Sequence, residues 1–459
     1  MKIGIDISAL QGPHRMRGIG SVLLNYLDNI PSEHRKQHSF VLYAQPYNKD
    51  SNVDEGDDPT KLFNTKGLNY EVRFFNVSLP QQNNGATHRS KYQQIASILP
   101  GQMRLAKKVI RLSRGLLRDM SDLKNFFLGD PRGQDLRGVD IYLQPDQSTP
   151  LPRGRIRKAL ILYDIIPYVL DGDYFTSYHT ARVRGRSWPG SVKQGFKRWL
   201  YAYKLKINTR RSNILVAISQ HTQNDFVKYI GVDQQKITVI LLGISNHTTP
   251  GSLGKPTLKR YIKTSWGYIG HPYSPPETPF LLFVGGVDRR RKISDLVTAF
   301  NHLRAEGRDI KLVFSGDILQ GPDNIPIEET RDALLSSSYI DDIVFLGFAD
   351  NATRDWLYTH ALAFVYPSRY EGFGLPVLEA MQYGTPAITY KNSSIYEIAG
   401  NAAIYADGAL SIKTAVEELM EQPSVIKRYA KLGKSQASKF SWTQTAEALM
   451  SLLSEDRRG

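Results

Sequence analysis

Short apolar runs recur along the chain, and most are followed by a turn and then by a segment with helical spacing. The first run covers residues 3–7. Helical spacing then appears at Val22, Leu23, Tyr26, Leu27 and Ile30. Strands buried in a parallel sheet are continuous apolar runs, whereas a helix packed on them repeats about every 3.6 residues. The pattern therefore predicts α/β units built on parallel sheets.

The remaining predicted strands cover residues 40–44, 70–77, 140–145, 159–164, 214–219, 236–240, 280–286, 312–317, 343–348 and 361–368. Residues 245–279 are rich in Pro, Gly and Ser, which predicts an interdomain linker with a small insertion. We therefore expect a first domain over residues 1–250, with a basic helical insertion at about 89–130. A second domain is expected over residues 275–438.

A glycine loop follows the first predicted strand. Gly18 and Gly20 match two positions of a dinucleotide-binding fingerprint, but Leu23 stands where the third glycine belongs. The acid expected about 20 residues later is also not evident. An NAD-type cofactor is therefore disfavoured, although Arg15, Arg17 and the glycines suit a loop that faces a diphosphate.

The stretch 370–381, Tyr-Glu-Gly-Phe-Gly-Leu-Pro-Val-Leu-Glu-Ala-Met, carries the most specific candidate chemistry. Pro376 suits the first turn of a helix, and Gly384 suits its end. We therefore expect N–H groups around Gly374 and Leu375 to face outward at a helix N-terminus, where they would bind phosphate.

Two carboxylates belong to this stretch, Glu371 in the loop and Glu379 in the helix. Carboxylates accept hydrogen bonds from vicinal hydroxyls, so this pair suits a sugar or ribose. Two solvated acids on an ordinary turn are the alternative.

Four successive cations, residues 289–292, follow the strand and the Gly285-Gly286 turn of the second domain. Cations placed there could hold a diphosphate and neutralise the charge that grows as it leaves. Either Arg290 and Arg291 or Arg291 and Lys292 could be the active pair, and solvated surface cations are the alternative.

The 370–381 stretch resembles the Glu-x7-Glu motif of retaining glycosyltransferases with the GT-B fold, glycosyltransferase family 4. The resemblance continues through residues 384–388 and 397–403. It implies an α/β fold in which two Rossmann-like domains with parallel sheets face each other across a cleft. The second domain would hold the donor nucleotide and the first the acceptor, and a last helix within 439–459 would cross back to the first domain.

The resemblance also implies roles for individual residues. Glu379 would hold ribose hydroxyls, while Glu371 would bind donor-sugar hydroxyls and stabilise positive charge at the anomeric carbon. Arg290, Arg291 and Lys292 would stabilise the leaving diphosphate. The other expected donor-binding positions are Gly18, Gly20, Gly286, Gly347, Phe348, Gly372, Phe373, Gly374 and Leu375. No metal ion or cofactor is expected, because cations and a helix N-terminus would supply the neutralising charge.

The chain departs from the family after the strand 159–164. Many members have His-Asp there, whereas this chain has Tyr163-Asp164, which leaves Asp164 as the catalytic candidate. Asp171-Gly172-Asp173 formally matches a metal-binding Asp-x-Asp motif. It lies in a polar segment without a preceding apolar strand, so a surface turn is expected.

Charge is distributed unevenly along the 459 residues. The net charge is +15, and residues 1–250 hold 36 Lys and Arg against 20 Asp and Glu, a local net of +16. The first half is therefore expected to face an anionic partner. The chain has no cysteine, which excludes disulfides and thiolate chemistry, and no leader is evident, so a cytoplasmic location is expected.

Two basic segments, residues 104–118 and 182–211, account for much of this charge. Aromatic residues are interleaved with the basic residues of the second segment. This combination suits binding to an anionic membrane, so we expect a peripheral protein on the inner face of that membrane. Ordinary helices with solvated basic faces are the alternative. RNA is less favoured, because no RNA-binding signature accompanies the segment.

The resemblance implies a retaining, metal-independent hexosyltransferase that moves a sugar from a nucleoside-diphosphate donor to a hydroxyl of a glycan or lipid-linked acceptor. Its expected role is in the synthesis of bacterial-type surface polysaccharide or glycoconjugate. A catalytically silent GT-B subunit that binds a partner enzyme or glycan is the alternative.

Overall fold

The computed structural model of the chain describes residues 1–11, 18–45, 58–75, 133–174, 177–183, 188–245, 256–264, 267–316, 321–322 and 325–455. A first sheet of seven parallel strands has the order β3-β2-β1-β4-β5-β6-β7. Its strands are β1 (Lys2–Asp6), β2 (Ser39–Ala44), β3 (Tyr70–Phe74), β4 (Ile141–Gln144), β5 (Arg157–Leu162), β6 (Ile214–Ala217) and β7 (Ile237–Val239).

A second sheet of six parallel strands has the order β12-β11-β10-β13-β14-β15. Its strands are β10 (Phe280–Val284), β11 (Lys311–Ser315), β12 (Ile343–Phe345), β13 (Ala363–Tyr366), β14 (Ala387–Tyr390) and β15 (Ile404–Ala406). Central strands such as β13 are buried throughout, which explains why they are continuous apolar runs in the sequence.

Helices connect the strands. In chain order they are α1 (Gly18–Asp28), α2 (Ser32–Gln37), α3 (Ile166–Val169), α4 (Tyr178–Val183), α5 (Trp188–Arg211), α6 (Gln220–Asp225), α7 (Ile293–Ala305), α8 (Glu328–Leu335), α9 (Asn351–His360), α10 (Leu375–Tyr383), α11 (Ser393–Ala399), α12 (Ala409–Glu421), α13 (Pro423–Ala437) and α14 (Trp442–Ser454). A π-helical turn, Phe226–Ile230, continues α6.

The segment expected to be a linker contains an antiparallel hairpin, β8 (Leu258–Thr264) and β9 (Gly267–Tyr273). Tyr261 on β8 packs against Gly347, where an added Cβ would lie 2.7 Å from the tyrosine ring. The hairpin therefore belongs to the wall of the second sheet instead of only joining the two domains.

The last helix, α14, packs against helix α1 and the segment after β7 in the first domain. The Trp442 ring meets the Tyr26 ring of α1 edge to face, with centroids 5.6 Å apart. The Thr445 hydroxyl donates to the Leu241 carbonyl at 2.8 Å, and Ile244 forms a parallel bridge with Ser441. These contacts connect the two halves of the molecule at one side.

Each sheet has a point where its strand order reverses, β1/β4 in the first sheet and β10/β13 in the second. Loops that leave adjacent strands in opposite directions open a crevice outside the carboxyl ends of those strands, where α/β proteins bind ligands. Of the loops singled out from the sequence, the one with Gly18 and Gly20 follows β1 and the Gly285-Gly286 turn follows β10. The loop with Glu371 follows β13.

The segment 104–118 lies outside the described residues. Within the described part of the chain, no helix is long and apolar enough to cross a membrane. Asp171 and Asp173 lie in a turn, as predicted. Asp171 accepts hydrogen bonds from Ser177 and Thr180, and Asp173 pairs with Arg369.

Candidate functional site

Glu371 lies at the reversal point of the second sheet, in the loop after β13. Its side chain is buried, and its Oε1 accepts hydrogen bonds from the Tyr366 and Ser368 hydroxyls, each at 2.9 Å. Its Oε2 accepts one from Nη2 of Arg290 at 3.1 Å. The carboxylate is therefore fixed in place before any ligand arrives, while Oε2 retains capacity for a further donor.

Arg290 reaches Glu371 from the loop after β10. Its Nη1 donates to Asp288 at 2.7 Å and its Nε to the Tyr370 carbonyl at 2.9 Å. Although burial alone would lower the pKa of Arg290, the neighbouring Glu371 carboxylate raises it further above its ordinary value. The guanidinium therefore remains a permanent cation with a fixed direction.

Arg291 lies on the other side of the same carboxylate. Its Nη1 donates to the Gly286 carbonyl at 2.6 Å, and its Nε is 3.6 Å from Glu371 Oε1. Burial alone would raise the pKa of Glu371, but Arg290 and Arg291 hold that pKa below its usual value. The site is thus a buried carboxylate between two guanidinium groups, and one of these, Arg290, also pairs with Asp288.

Lys292 points elsewhere. It adopts a left-handed conformation, with φ +40°, and its Nζ donates to Glu329 at 2.9 Å. With Glu329, Arg369 and Asp173 it lines a neighbouring polar cavity of about 410 Å³. The structure therefore brings Arg290 and Arg291 to Glu371, and it places Lys292 beside them in a second, more open space.

Asp164 approaches the same loop from the first domain. An added Cβ on Gly372 would lie 2.7 Å from the Asp164 Cβ and 3.0 Å from its Oδ2, so only a glycine allows this close approach. Burial raises the pKa of Asp164, and Arg290 only partly offsets this effect. The site thus combines an ionised carboxylate, Glu371, with a second carboxyl group that is easier to protonate.

Gly374 caps helix α10. Its φ is +108°, and an added Cβ would lie 2.6 Å from Cδ1 of Ile395. Leu375 is the first helical residue, so the peptide groups from Phe373 to Leu375 lie at the positive end of the helix. The Phe373 side chain is buried against Phe440, with ring centroids 6.0 Å apart, which leaves only its backbone for ligand binding.

Other predicted donor residues of the second domain lie on α10 and after β12. Glu379 is half-buried on α10 and accepts a hydrogen bond from the Tyr358 hydroxyl at 3.0 Å. Gly347 has φ +62° and its carbonyl accepts from the Gly316 N–H at 2.7 Å, which turns the chain so that the Phe348 ring is 66% exposed.

Gly18 and Gly20 belong to the other domain. They form the first turn of α1, after the carboxyl end of β1, and Gly18 has φ +50°. Arg15 and Arg17, which precede them, are outside the described residues.

The loop after β13, residues 367–374, which we call the donor loop, is anchored through Tyr370 by His221 and Asp225, two residues that the sequence did not single out for the site. The Tyr370 hydroxyl is 2.7 Å from His221 Nε2 and donates to Asp225, at 2.7 and 2.8 Å from its two oxygens. Position 163 is a tyrosine, where the resemblance would place a histidine, yet His221 reaches this loop. The only signal in the sequence was that His221 lies two residues after the predicted strand 214–219.

A second set of bonds crosses between the domains beside these residues. The Ser219 hydroxyl donates to the Gly372 carbonyl at 2.8 Å. The Glu397 carboxylate accepts from the backbone N–H groups of Gln220 and His221 at 2.8 and 3.0 Å, so a residue of α11 caps α6. We call Ser219, Gly372, Glu397 and the first turn of α6 the interdomain clasp.

Comparison with known proteins gives one family model, described as glycosyl transferases group 1, which matches residues 271–439. The O-antigen chain mannosyltransferase B of Escherichia coli is 27% identical over 246 residues, which are 52% of this chain and 60% of that protein. The alpha-maltose-1-phosphate synthase of Mycobacterium tuberculosis is 26% identical over 262 residues, 52% of this chain and 62% of that protein. The match therefore leaves more than a third of each relative uncovered.

Two solved structures resemble nearly the whole chain. Anabaena HepE in complex with UDP and glucose has a TM-score of 0.57 at 14% identity and covers 99% of both chains. WaaG, a glycosyltransferase involved in lipopolysaccharide biosynthesis, also has a TM-score of 0.57, at 12% identity, and covers 99% of this chain and 100% of its own. The chain has the GT-B fold, and its second domain matches the model of the group 1 glycosyl transferases.

Proposed function

We propose that this protein is a retaining, metal-independent glycosyltransferase of family 4. It moves a hexose-type sugar from a nucleoside-diphosphate donor to a hydroxyl of a glycan or lipid-linked acceptor in surface polysaccharide synthesis. The observation that carries the proposal is the buried Glu371 carboxylate between Arg290 and Arg291, beside the N-terminus of α10. The mannosyltransferase among the relatives and the UDP and glucose in a structural neighbour support the same chemistry.

In the proposed reaction, the bond between the anomeric carbon and the diphosphate oxygen breaks, and the acceptor oxygen bonds to that carbon on the same face. The acceptor proton passes to the leaving phosphate. Arg290, Arg291 and the α10 N-terminus stabilise the negative charge on the diphosphate. Glu371 stabilises the positive charge on the sugar, and Asp164 offers a hydrogen-bonding carboxyl group from the opposite domain.

A thermal-shift screen with UDP-, GDP- and dTDP-sugars tests the donor, because a ligand that binds the folded state raises the unfolding temperature. The donor that stabilises the protein is then assayed for release of its nucleoside diphosphate. A protein that binds a donor but never turns it over, with any acceptor offered, would be the silent GT-B subunit instead.

We expect Glu379→Ala to raise the KM for the donor about 10- to 100-fold, with a smaller change in kcat. The reason is that hydrogen bonds from ribose to a charged carboxylate contribute roughly 1.5–3 kcal/mol in ground and transition states alike. Steady-state kinetics measure both constants. Tyr358→Phe is the control, since it removes the carboxylate's protein partner and keeps the carboxylate. An unchanged KM for the donor in Glu379→Ala would contradict the proposal that Glu379 binds the ribose of the donor.

The same protein is proposed to act in the cytoplasm, on the inner face of an anionic membrane, through helix α5. Trp188 is 63% exposed and Trp199 is 50% exposed on this helix, and the Trp199 ring stacks on Tyr203 with centroids 4.9 Å apart. Lys193 and Lys197 accompany them. Aromatic rings with neighbouring cations suit the headgroup level of a bilayer.

Co-sedimentation with vesicles containing phosphatidylglycerol tests this attachment. We expect Trp199→Ser to reduce the bound fraction severalfold, and added salt to weaken the rest. Phosphatidylcholine vesicles are the matched control. Steeply salt-dependent RNA binding without vesicle binding would favour the nucleic-acid alternative. If the protein binds neither RNA nor vesicles, α5 is an ordinary surface helix.

A further inference from the structure

The Arg290 guanidinium is held by three groups of the second domain. It donates to Glu371 Oε2 at 3.1 Å, to Asp288 Oδ2 at 2.7 Å and to the Tyr370 carbonyl at 2.9 Å. Two of these partners, Asp288 and Tyr370, are themselves hydrogen-bonded to side chains of the first domain. The orientation of the guanidinium therefore depends on contacts that cross between the domains.

The first of these contacts, which we call the Tyr370 link, joins Tyr370 to Asp225 and His221. Asp225, on α6, is buried, and its two carboxylate oxygens lie 2.8 and 2.7 Å from the Tyr370 hydroxyl. Burial and this carboxylate raise the pKa of Tyr370, so the hydroxyl stays protonated and donates. The first domain thus fixes the far end of the Tyr370 ring, while the backbone carbonyl of the same residue holds Arg290 Nε.

The second contact, which we call the Tyr174 link, joins Tyr174 to Asp288. Tyr174 lies in the turn after α3 of the first domain, and its hydroxyl donates to the Asp288 carboxylate. The same hydroxyl accepts a long hydrogen bond from Arg290 Nη1 at 3.4 Å. Burial and the bond to Asp288 raise the pKa of Tyr174, so this hydroxyl also remains a donor. The Tyr174 link therefore fixes the carboxylate that holds Arg290 Nη1.

Together the two links determine where the third nitrogen of the guanidinium points. A guanidinium is planar, with its donors in a fixed fork, so holding Nε and Nη1 also sets the direction of Nη2. Nη2 is the nitrogen that meets Glu371. A small misplacement of a group in an active site can cost about 100-fold in rate. Contacts of the first domain are therefore placed to control the pairing of Arg290 with Glu371.

We propose that Tyr370 and Tyr174 are positioning residues, which orient Arg290 for sugar transfer only while their links to the other domain are made. This inference rests on the proposed glycosyl transfer. It assigns neither tyrosine a contact with the sugar or the diphosphate, because each acts through Arg290. The catalytic cation of the second domain is then correctly oriented only when the first domain is docked against it.

The test uses Tyr370→Phe and Tyr174→Phe in the full chain, since each removes one hydroxyl and keeps the ring. We expect each variant to lower kcat about 10- to 100-fold, because a misplaced guanidinium stabilises the departing diphosphate less well. The donor KM should change less than about threefold, because the loss falls on the transition state. Steady-state release of nucleoside diphosphate measures both constants, and far-UV circular dichroism verifies that the variants fold.

Tyr390→Phe is the matched control. The Tyr390 hydroxyl also donates to a carboxylate, that of Asp295, but both residues belong to the second domain. We expect its kcat to equal that of the wild type. If Tyr370→Phe and Tyr174→Phe lose no more activity than this control, while the wild type turns the donor over, the positioning role is wrong.

Combining Tyr370→Phe with Arg290→Met separates positioning from a purely structural role. If Tyr370 acts through Arg290, the double variant should lose no more activity than Arg290→Met alone, because residues that act as a unit are not additive. Losses that multiply in the double variant would overturn the inference even with an active wild type. A wild type that neither binds nor turns over any nucleotide sugar would overturn the glycosyltransferase proposal instead.

Discussion

Replacing Arg290 with methionine should reduce the kcat for sugar transfer about 100- to 1,000-fold, the loss expected when one preorganised donor to a developing anion is removed. Arg290 donates to Glu371, Asp288 and the Tyr370 carbonyl at once, so its guanidinium is already oriented before the diphosphate begins to leave. The measurement is the steady-state rate of nucleoside diphosphate release with saturating donor and acceptor.

Lys292→Met is the matched control, because Lys292 belongs to the same cationic loop but pairs with Glu329. We expect it to lower kcat less than tenfold. Equal losses in the two variants would mean that the loop acts only through its total charge, and a larger loss in Lys292→Met would reverse the assignment made from the hydrogen bonds.

The loss of stability in the same Arg290 variant should depend on pH. Removing one partner of a buried ion pair typically costs about 3–5 kcal/mol, because the other charge remains buried. The pKa of Glu371 lies below its ordinary 4.5 in the folded wild type, so the pair's contribution is fully present above pH 4.5. This contribution is lost as the pH falls through the lowered pKa that Glu371 has in the folded protein. Urea unfolding should therefore show the largest deficit near neutral pH and a smaller one in acid.

Gly374→Ala should destabilise the fold by roughly 2–5 kcal/mol, the sum of a strained backbone and an overpacked contact. At φ +108° an L-residue is strained, and the new Cβ would meet Ile395 at 2.6 Å. Relief of this contact moves the N-terminus of α10, so donor affinity should fall at least tenfold. Denaturant unfolding and the donor-induced thermal shift measure the two effects.

Gly384→Ala provides the comparison at the other end of the same helix. Gly384 has φ +81°, but its added Cβ would meet Cε of Lys434, the far end of a flexible side chain. We expect a cost of about 1–2 kcal/mol from the left-handed backbone alone, with donor binding unchanged. If Gly384→Ala weakens donor binding as much as Gly374→Ala, the effect reflects helix stability and not the position of the N-terminal N–H groups.

Most of the sheet strands could be predicted from the sequence, because buried parallel strands are apolar runs that end at glycine or proline. The strand at 40–44, for example, is found at Ser39–Ala44. The elements that were not predicted include strands β14 and β15, helix α2 and the β8–β9 hairpin. Helix α2 is short and polar, so it has no apolar period to detect. The β8–β9 hairpin is hidden in a segment whose Pro, Gly and Ser content indicated a linker.

The site was predictable in its residue types but not in its pairings. The sequence indicated the two glutamates, the cations and the capping glycine, yet four successive cations left their register open. The backbone turn at Lys292, with φ +40°, decides which of them face Glu371, and no composition rule predicts it. The contact between His221 and Tyr370 joins positions 149 apart in the chain, so it depends on how the two sheets are docked.

The interdomain clasp has a consequence for motion. Ser219 and Glu397 bond across the cleft at the edge where β6 ends, directly beside the donor loop. A movement that parts the domains must either break these bonds or rotate about them. If the hydrogen bonds of the clasp persist, the clasp is the hinge of this movement. The donor loop then lies near the hinge axis and moves little, while the cleft widens on the side away from the clasp. The donor site would then keep its geometry while the acceptor enters and leaves.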